Sequence, residues 1–191
     1  MSALQQFRTQ LKPGRVYRRE ELLQFSSSVD RVLKSLLEAR LLEKAGAGLY
    51  YRPKKSIFGL TPPGERELIE AFLKDRDYLL VSPNFYNSLG VRTTQLYNTT
   101  VVYNRKRHGH FTLAGKRFEF RMKPRFPKIL SEEFLLVDLM NNLNSLSEDR
   151  ELVAESVRRR STRMNREKLL KAARLYGKVA TRRFFESLRS K

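Results

Sequence analysis

Residues 26–55, SSSVDRVLKSLLEARLLEKAGAGLYYRPKK, read as a helix, a short turn and an aromatic, basic β-ribbon. Ser26, Ser27 and Ser28 offer N-cap oxygens, and Asp30 sets a carboxylate beside the unpaired N–H groups of the first turn. Val29, Val32, Leu33, Leu36, Leu37, Leu41 and Leu42 recur at three- and four-residue spacing, which gives one apolar stripe. Arg31, Lys34, Ser35 and Glu38 then fall on the other side. Gly46-Ala47-Gly48 is expected to stop the helix and reverse the chain, and residues 49–52 to continue as a strand ending at Pro53. A helix with polar and basic residues near its start, followed directly by a basic ribbon, is the second half of a winged helix-turn-helix. That motif puts a helix in the DNA major groove and lays its wing on the backbone.

The residues upstream supply the first half. Residues 2–11 are expected to form a helix capped by Ser2, with Leu4, Phe7 and Leu11 on one face, and Pro13-Gly14 breaks it. Arg15-Val16-Tyr17 reads as a short strand and residues 18–25 as a second helix, with the serines as the turn into the third. Helix, strand, helix, turn, helix, wing is the expected winged-helix order. Winged helices also dock proteins, so this order by itself leaves both DNA and protein partners open.

Charge favours a polyanion. The 191 residues carry 39 Lys+Arg against 20 Asp+Glu, a formal charge of +19. Residues 1–60, 61–130 and 131–191 hold excesses of +7, +7 and +5, so no basic tail accounts for it. A folded chain this basic is suited to nucleic acid, with an anionic membrane surface as competitor. No apolar run approaches the roughly 18 residues needed to span a bilayer, and no signal-peptide core opens the chain. The absence of cysteine excludes disulfides, thiolate zinc sites and cysteine nucleophiles, and it fits the cytoplasm.

Residues 53–64 read as a linker, because Pro62-Pro63-Gly64 continues neither a helix nor a central strand. The domain boundary is expected near residue 60, with a DNA-binding domain over 1–60 and an α+β domain over 61–191. In the second domain, residues 65–74 read as an amphipathic helix with Leu68, Ile69, Phe72 and Leu73 inward. Residues 78–81 read as a strand, 83–89 as a short helix closed by Gly90, and 99–104 as a β-branched strand. Residues 110–123 look like a hairpin in which Phe118 and Phe120 alternate with Arg117, Glu119 and Arg121, one face buried and the other wet. A helix follows over 130–146, entered at Ser131, and then helical runs to Leu188. The fold class is α+β: a winged helix, then a small, mainly antiparallel sheet with flanking C-terminal helices.

Chemistry-bearing residues are sparse. His108 and His110 lie two apart without a carboxylate or cysteine to complete a metal site, so they read as solvent-side hairpin residues. Asp138, Asn141 and Asn142 form a polar stripe at i, i+3 and i+4, read first as hydrogen bonding to neighbouring backbone and second as a functional face. No dinucleotide fingerprint, P-loop, zincin motif or nucleophile elbow appears, and neither catalysis, cofactor nor metal is expected. The basic runs Arg105-Lys106-Arg107 and Arg158-Arg159-Arg160 read equally as phosphate or partner contacts and as solvated charge.

Three stretches carry a resemblance: YYRPKKSIFG from residue 50, SPNFYNSLGVRTTQLYNTTVVYNRKRHGHF from residue 82, and FEFRMKPRFPKILSEEFLLVDLMNNL from residue 118. Together they resemble the AbiEi-type antitoxins of bacterial type IV toxin–antitoxin systems. The shared phrases are NSLG, TTQ, VVYN and KRFEFR, in that order. The resemblance spans the wing, the linker and most of the second domain, and the last 40 or so residues fall outside it. It implies a non-enzymatic cytoplasmic antitoxin with a winged-helix domain. Such a protein represses its own promoter, double-stranded DNA expected to carry inverted repeats, and counteracts a nucleotidyltransferase-like toxin, with or without touching it.

On this reading Ser27, Ser28, Arg31 and Lys34 approach bases from the third helix. Arg18 and Arg19, at the head of the second helix, and Arg52, Lys54 and Lys55, on the wing, grip phosphates. The alternative is a protein-interaction module whose winged helix and basic second domain bind an acidic partner, or RNA, directly. An RNA-processing enzyme is a third reading, with a basic surface but no catalytic constellation behind it.

Overall fold

The computed structural model describes residue 7 and residues 9–25, 28–57 and 59–188, a mixed α and β chain with small antiparallel sheets. Two compact units emerge from the contacts: residues 1–76 with 110–118, and residues 77–109 with 119–191.

In the first unit Phe7, Thr9 and Gln10 have helical backbone. Strand β1 (Val16–Arg18) leads into α1 (Arg19–Leu22), which tightens to a 3₁₀ turn at Leu23–Phe25. Helix α2 (Val29–Glu38) precedes strands β2 (Glu43–Gly46) and β3 (Leu49–Tyr51), and the three strands pair antiparallel in the order β1-β3-β2. The apolar stripe works as its spacing dictates: Val29, Leu33 and Leu36 join Phe7, Leu11, Tyr17, Leu22 and Leu42 in one buried cluster.

Three local expectations change. The helix stops at Glu38, before the glycines, because Arg40 turns to a left-handed φ of 52°. The Leu41 and Leu42 N–H groups then fold back onto the Leu36 carbonyl at 2.9 and 3.2 Å, which brings Leu42 into the core from beyond the helix. Residues 43–45, expected to be helical, therefore form a strand with Gly46, and Ala47-Gly48 is the turn of a β-hairpin, with Gly48 at a φ of 66°. Residues 53–64 are not a bare linker. They contain a second hairpin, β4 (Lys54–Ser56) with β5 (Gly59–Thr61), in which Lys54 faces Thr61 and Ser56 faces Gly59. Its signal is masked by the prolines at 53, 62 and 63, which bracket it without entering it.

Helix α3 (Glu65–Leu73) buries Leu68, Ile69 and Leu73. The Arg18 Nε donates to the Ala71 carbonyl at 2.9 Å, and Lys74 pairs with Glu20 at 2.6 Å. These ties carry the first compact unit through residue 76, past the boundary that composition suggests near 60. Within this unit the tip of a later hairpin also packs. The Ala114 N–H donates to the Ala45 carbonyl at 2.8 Å, and the Phe111 ring lies 4.8 Å from that of Phe72.

In the second unit β6 (Leu79–Val81) pairs antiparallel with β7 (Thr100–Asn104), with a 3₁₀ helix at Pro83–Leu89 between them. Strands β8 (Gly109–Leu113) and β9 (Lys116–Met122) complete a sheet of order β6-β7-β9-β8. The hairpin turn is Ala114-Gly115, with φ of 48° and 79°, a pair of left-handed residues suited to a two-residue connection. Helix α4 (Glu132–Asn142) is capped by the Ser131 hydroxyl, which accepts from the Phe134 N–H at 3.1 Å. It is buried on nearly every side, so it carries no single apolar face. Around it pack α5 (Arg150–Ser161), α6 (Arg166–Tyr176) and α7 (Val179–Ser187), with Leu136, Leu139, Val153, Val157, Leu169, Ala173 and Phe185 in the core. The side chains of Asp149 and Asn165 cap α5 and α6.

Candidate nucleic-acid interface

Helix α2 exposes Arg31 and Lys34, one turn apart, on the side opposite its buried Val29, Leu33 and Leu36. Neither side chain forms an ion pair or hydrogen bond among the described residues. Lys54 and Lys55 on β4 are likewise exposed and without a side-chain partner among them. These four are the cations of the expected set that have no side-chain partner among the described residues.

The other expected contacts are differently placed. Arg19 is exposed but holds Asp30, its Nε 2.9 Å from Oδ1 and an Nη 2.6 Å from Oδ2. This pair ties the first turn of α1 to the first turn of α2. Its hydrogen bonds hold the Asp30 carboxyl below the usual carboxylate range and raise the Arg19 guanidinium. Arg18, at the end of β1 and not within the helix, is turned onto the Ala71 carbonyl with Glu20 and Glu21 at 3.6 Å, a structural commitment. Arg52 is half-buried, and its guanidinium donates to the Leu11 carbonyl. Ser28 occupies the N-cap of α2 without a side-chain cap bond. Ser27 and Ser26 lie outside the described residues.

In the second unit the run Arg105-Lys106-Arg107 sits on a loop fastened by Asn104, which is 1% exposed. The Asn104 Oδ1 accepts from the N–H groups of Lys106 (2.8 Å) and Arg107 (2.7 Å), and its Nδ2 donates to the carbonyls of Val102 and Arg107. Arg105 pairs with Asp77 at 2.9 Å. Of the second run, Arg158 lies over the Phe184 ring at 5.1 Å, Arg159 reaches the Ser156 hydroxyl at 3.4 Å, and Arg160 pairs with Glu132 at 2.7 Å. His108 and His110 are both exposed, and no cluster of three or more metal-ligating His, Asp or Glu side chains occurs among the described residues.

The polar stripe on α4 meets expectation in part: Asn141 and Asn142 bond to backbone, whereas Asp138 is held by buried side chains. Asp138, 2% exposed, accepts hydrogen bonds from the hydroxyls of Tyr86 (2.7 Å) and Tyr103 (2.8 Å). The Asn142 Nδ2 donates to the Asp138 carbonyl and to the Tyr103 hydroxyl, while Arg121 donates to the Asn142 Oδ1 at 2.9 Å and pairs with Glu119. Arg121 is thus half-buried and engaged, where the alternation of β9 suggested a wet face. Asn141 instead joins α4 to the α6–α7 link, donating to the Tyr176 carbonyl and accepting from the Lys178 N–H. Burial pushes the Asp138 carboxyl up, against the opposing pull of the two tyrosine hydroxyls and of Lys123 and Arg121. Burial, then the negative charge of Asp138, pushes Tyr86 and Tyr103 up as well. Tyr86 and Tyr103 are partners that sequence alone does not announce, since nothing in the spacing of 86, 103 and 138 relates them.

Among the described residues no helix is long and apolar enough to cross a membrane. Comparison with family models, with curated proteins and with solved structures finds no match for this chain.

Proposed function

We propose that the chain is a DNA-binding regulator whose first unit is a winged helix, with α2 as the reading helix. The observation that carries this is the exposed pair Arg31 and Lys34 on α2, without acidic partners among the described residues, on a helix whose opposite face is locked into the core. The element order β1-α1-α2-β2-β3 with sheet order β1-β3-β2 supports the assignment, as does the Arg19–Asp30 pair that fixes α1 against α2. Arg31 and Lys34 reach for base edges or nearby phosphates, and Lys54 and Lys55 add backbone contacts. Arg18 and Arg52 serve the fold.

The residues that resemble AbiEi-type antitoxins extend the proposal to an autorepressing antitoxin that opposes a nucleotidyltransferase-like toxin. A gel-shift titration tests the DNA part, using the duplex upstream of the chain's own gene and a scrambled competitor at two salt concentrations. Binding that survives competitor and salt supports a sequence-specific regulator; equal collapse on both duplexes leaves only charge. Growth rescue on co-expression with the adjacent toxin gene tests the antitoxin part.

A second reading, a protein-docking module, has one observation in its favour. Ile57 is 92% exposed and Leu60 60% exposed on the β4–β5 hairpin, an apolar tip that DNA backbone contact does not require.

A further inference from the structure

Helix α5 ends over a cleft of about 360 Å³ that four arginines line: Arg92, Arg159, Arg160 and Arg163. Arg158–Arg160 at the last turn of α5 are what the helix dipole favours, and this explains their place without any ligand. Arg92 is a different matter. It comes from the segment after the 3₁₀ helix, where Gly90 and Arg92 take left-handed φ values of 66° and 61°, and it lines the same cleft. No ion pair joins Arg92, Arg159 or Arg163 to an acidic side chain among the described residues; Arg160 alone is paired, to Glu132. The Nε of Arg160 is buried without an acceptor. Four like charges around one concavity repel one another, and the Arg160–Glu132 pair offsets only part of that repulsion.

A second cavity of about 710 Å³ adjoins the first, sharing Arg159 and Arg163, and its floor is apolar: Leu169, Leu170, Phe185 and Leu188. Guanidinium planes beside an apolar floor suit a flat, π-rich group, as a cluster of guanidinium donors suits phosphate oxygens. We propose that the paired cavities bind a free nucleotide, its phosphates among Arg92, Arg159, Arg160 and Arg163 and its base over the apolar floor. The site lies wholly in the second unit and does not depend on the DNA-binding reading of α2.

The test is calorimetric titration of the full chain with ATP, with inorganic triphosphate and with a single-stranded 12-mer, for wild type and for Arg92→Gln, Arg163→Gln and Arg125→Gln. Both cleft positions are exposed, and thermal melts check that each variant is folded. The expected result is one ATP per chain, bound more tightly than triphosphate, and weakened about tenfold by Arg92→Gln or Arg163→Gln but unchanged by Arg125→Gln. Equal weakening by Arg125→Gln, or several ATP molecules per chain, overturns the site in favour of diffuse charge. ATP binding no tighter than triphosphate removes the base from the proposal. Binding of the 12-mer alone, with the same arginine dependence, reassigns the cleft to a nucleic-acid backbone and overturns the nucleotide.

Discussion

Arg19 and Asp30 clasp each other through two parallel hydrogen bonds, 2.9 and 2.6 Å, between the opening turns of α1 and α2. The planar fork matches the carboxylate, so the pair fixes direction as well as distance. Because Asp30 is held below its ordinary value of 3.8, the interaction is present above that value and is lost as pH falls through the depressed midpoint. An NMR titration of the Asp30 carboxyl should give a midpoint below 3.8, returning toward it in Arg19→Ala. A midpoint unaltered by that substitution would remove the clasp.

Arg31 and Lys55 are expected to fail differently as DNA contacts. Arg31→Ala should cost about 1–3 kcal/mol on the preferred duplex and narrow the gap to scrambled DNA, whereas Lys55→Ala should weaken all duplexes alike and lower the salt slope by about one. Gel shifts across a salt series check both. Normal promoter affinity in Arg31→Ala would dismiss α2 as the reader.

The tyrosines around Asp138 make alkaline behaviour distinctive. Tyr86 and Tyr103 are held above their ordinary value of 10.0, so their contribution is complete below pH 10 and is lost as pH rises through their raised values. Absorbance at the phenolate band should show these two titrating together with unfolding. Asp138 works in the acid range with the opposite group: its raised value favours folding below 3.8, and stability declines as pH rises through the folded midpoint. Asp138→Asn should flatten that decline. Asp138→Ala strands two buried hydroxyls and should cost on the order of 3 kcal/mol in a denaturant melt.

Two glycines separate conformational from steric cost. Gly115 has a φ of 79° and open space where a Cβ would sit, so Gly115→Ala should cost about 1 kcal/mol through the backbone alone. At Gly177 the φ is ordinary, but an added Cβ would collide with the Ala173 carbonyl oxygen, the acceptor of its own N–H. Gly177→Ala should therefore lower the melting temperature more than Gly115→Ala does.

The sequence is informative where one interaction decides and weak where several compete. Period-3.6 spacing located α2 and α3, alternation of Phe118 and Phe120 located β9, and Ser131 marked the start of α4, because each is a local rule. The end of α2 was hidden because Leu41 and Leu42 keep the helical period while Arg40 leaves the helix. The β4–β5 hairpin was hidden because its flanking prolines outweigh a short run without a period. At the candidate interface, type and spacing single out Arg31, Lys34, Lys54 and Lys55, whose side chains the structure leaves exposed. They missed that Arg18 and Arg52 are spent on the carbonyls of Ala71 and Leu11, since an arginine's partner is a tertiary matter.

The hairpin tip at residues 110–118 has a consequence for how the chain is made. Its contacts with Ala45 and Phe72 belong to the first unit, yet it is translated only after strands β6 and β7. The N-terminal unit thus stays incomplete on the ribosome until residue 118 has emerged, by which time a third of the second unit has been synthesised as well. A gene fragment ending at residue 76 encodes a unit with a missing piece, and the two units are interleaved products of one translation, not beads that evolution could shuffle by a single cut.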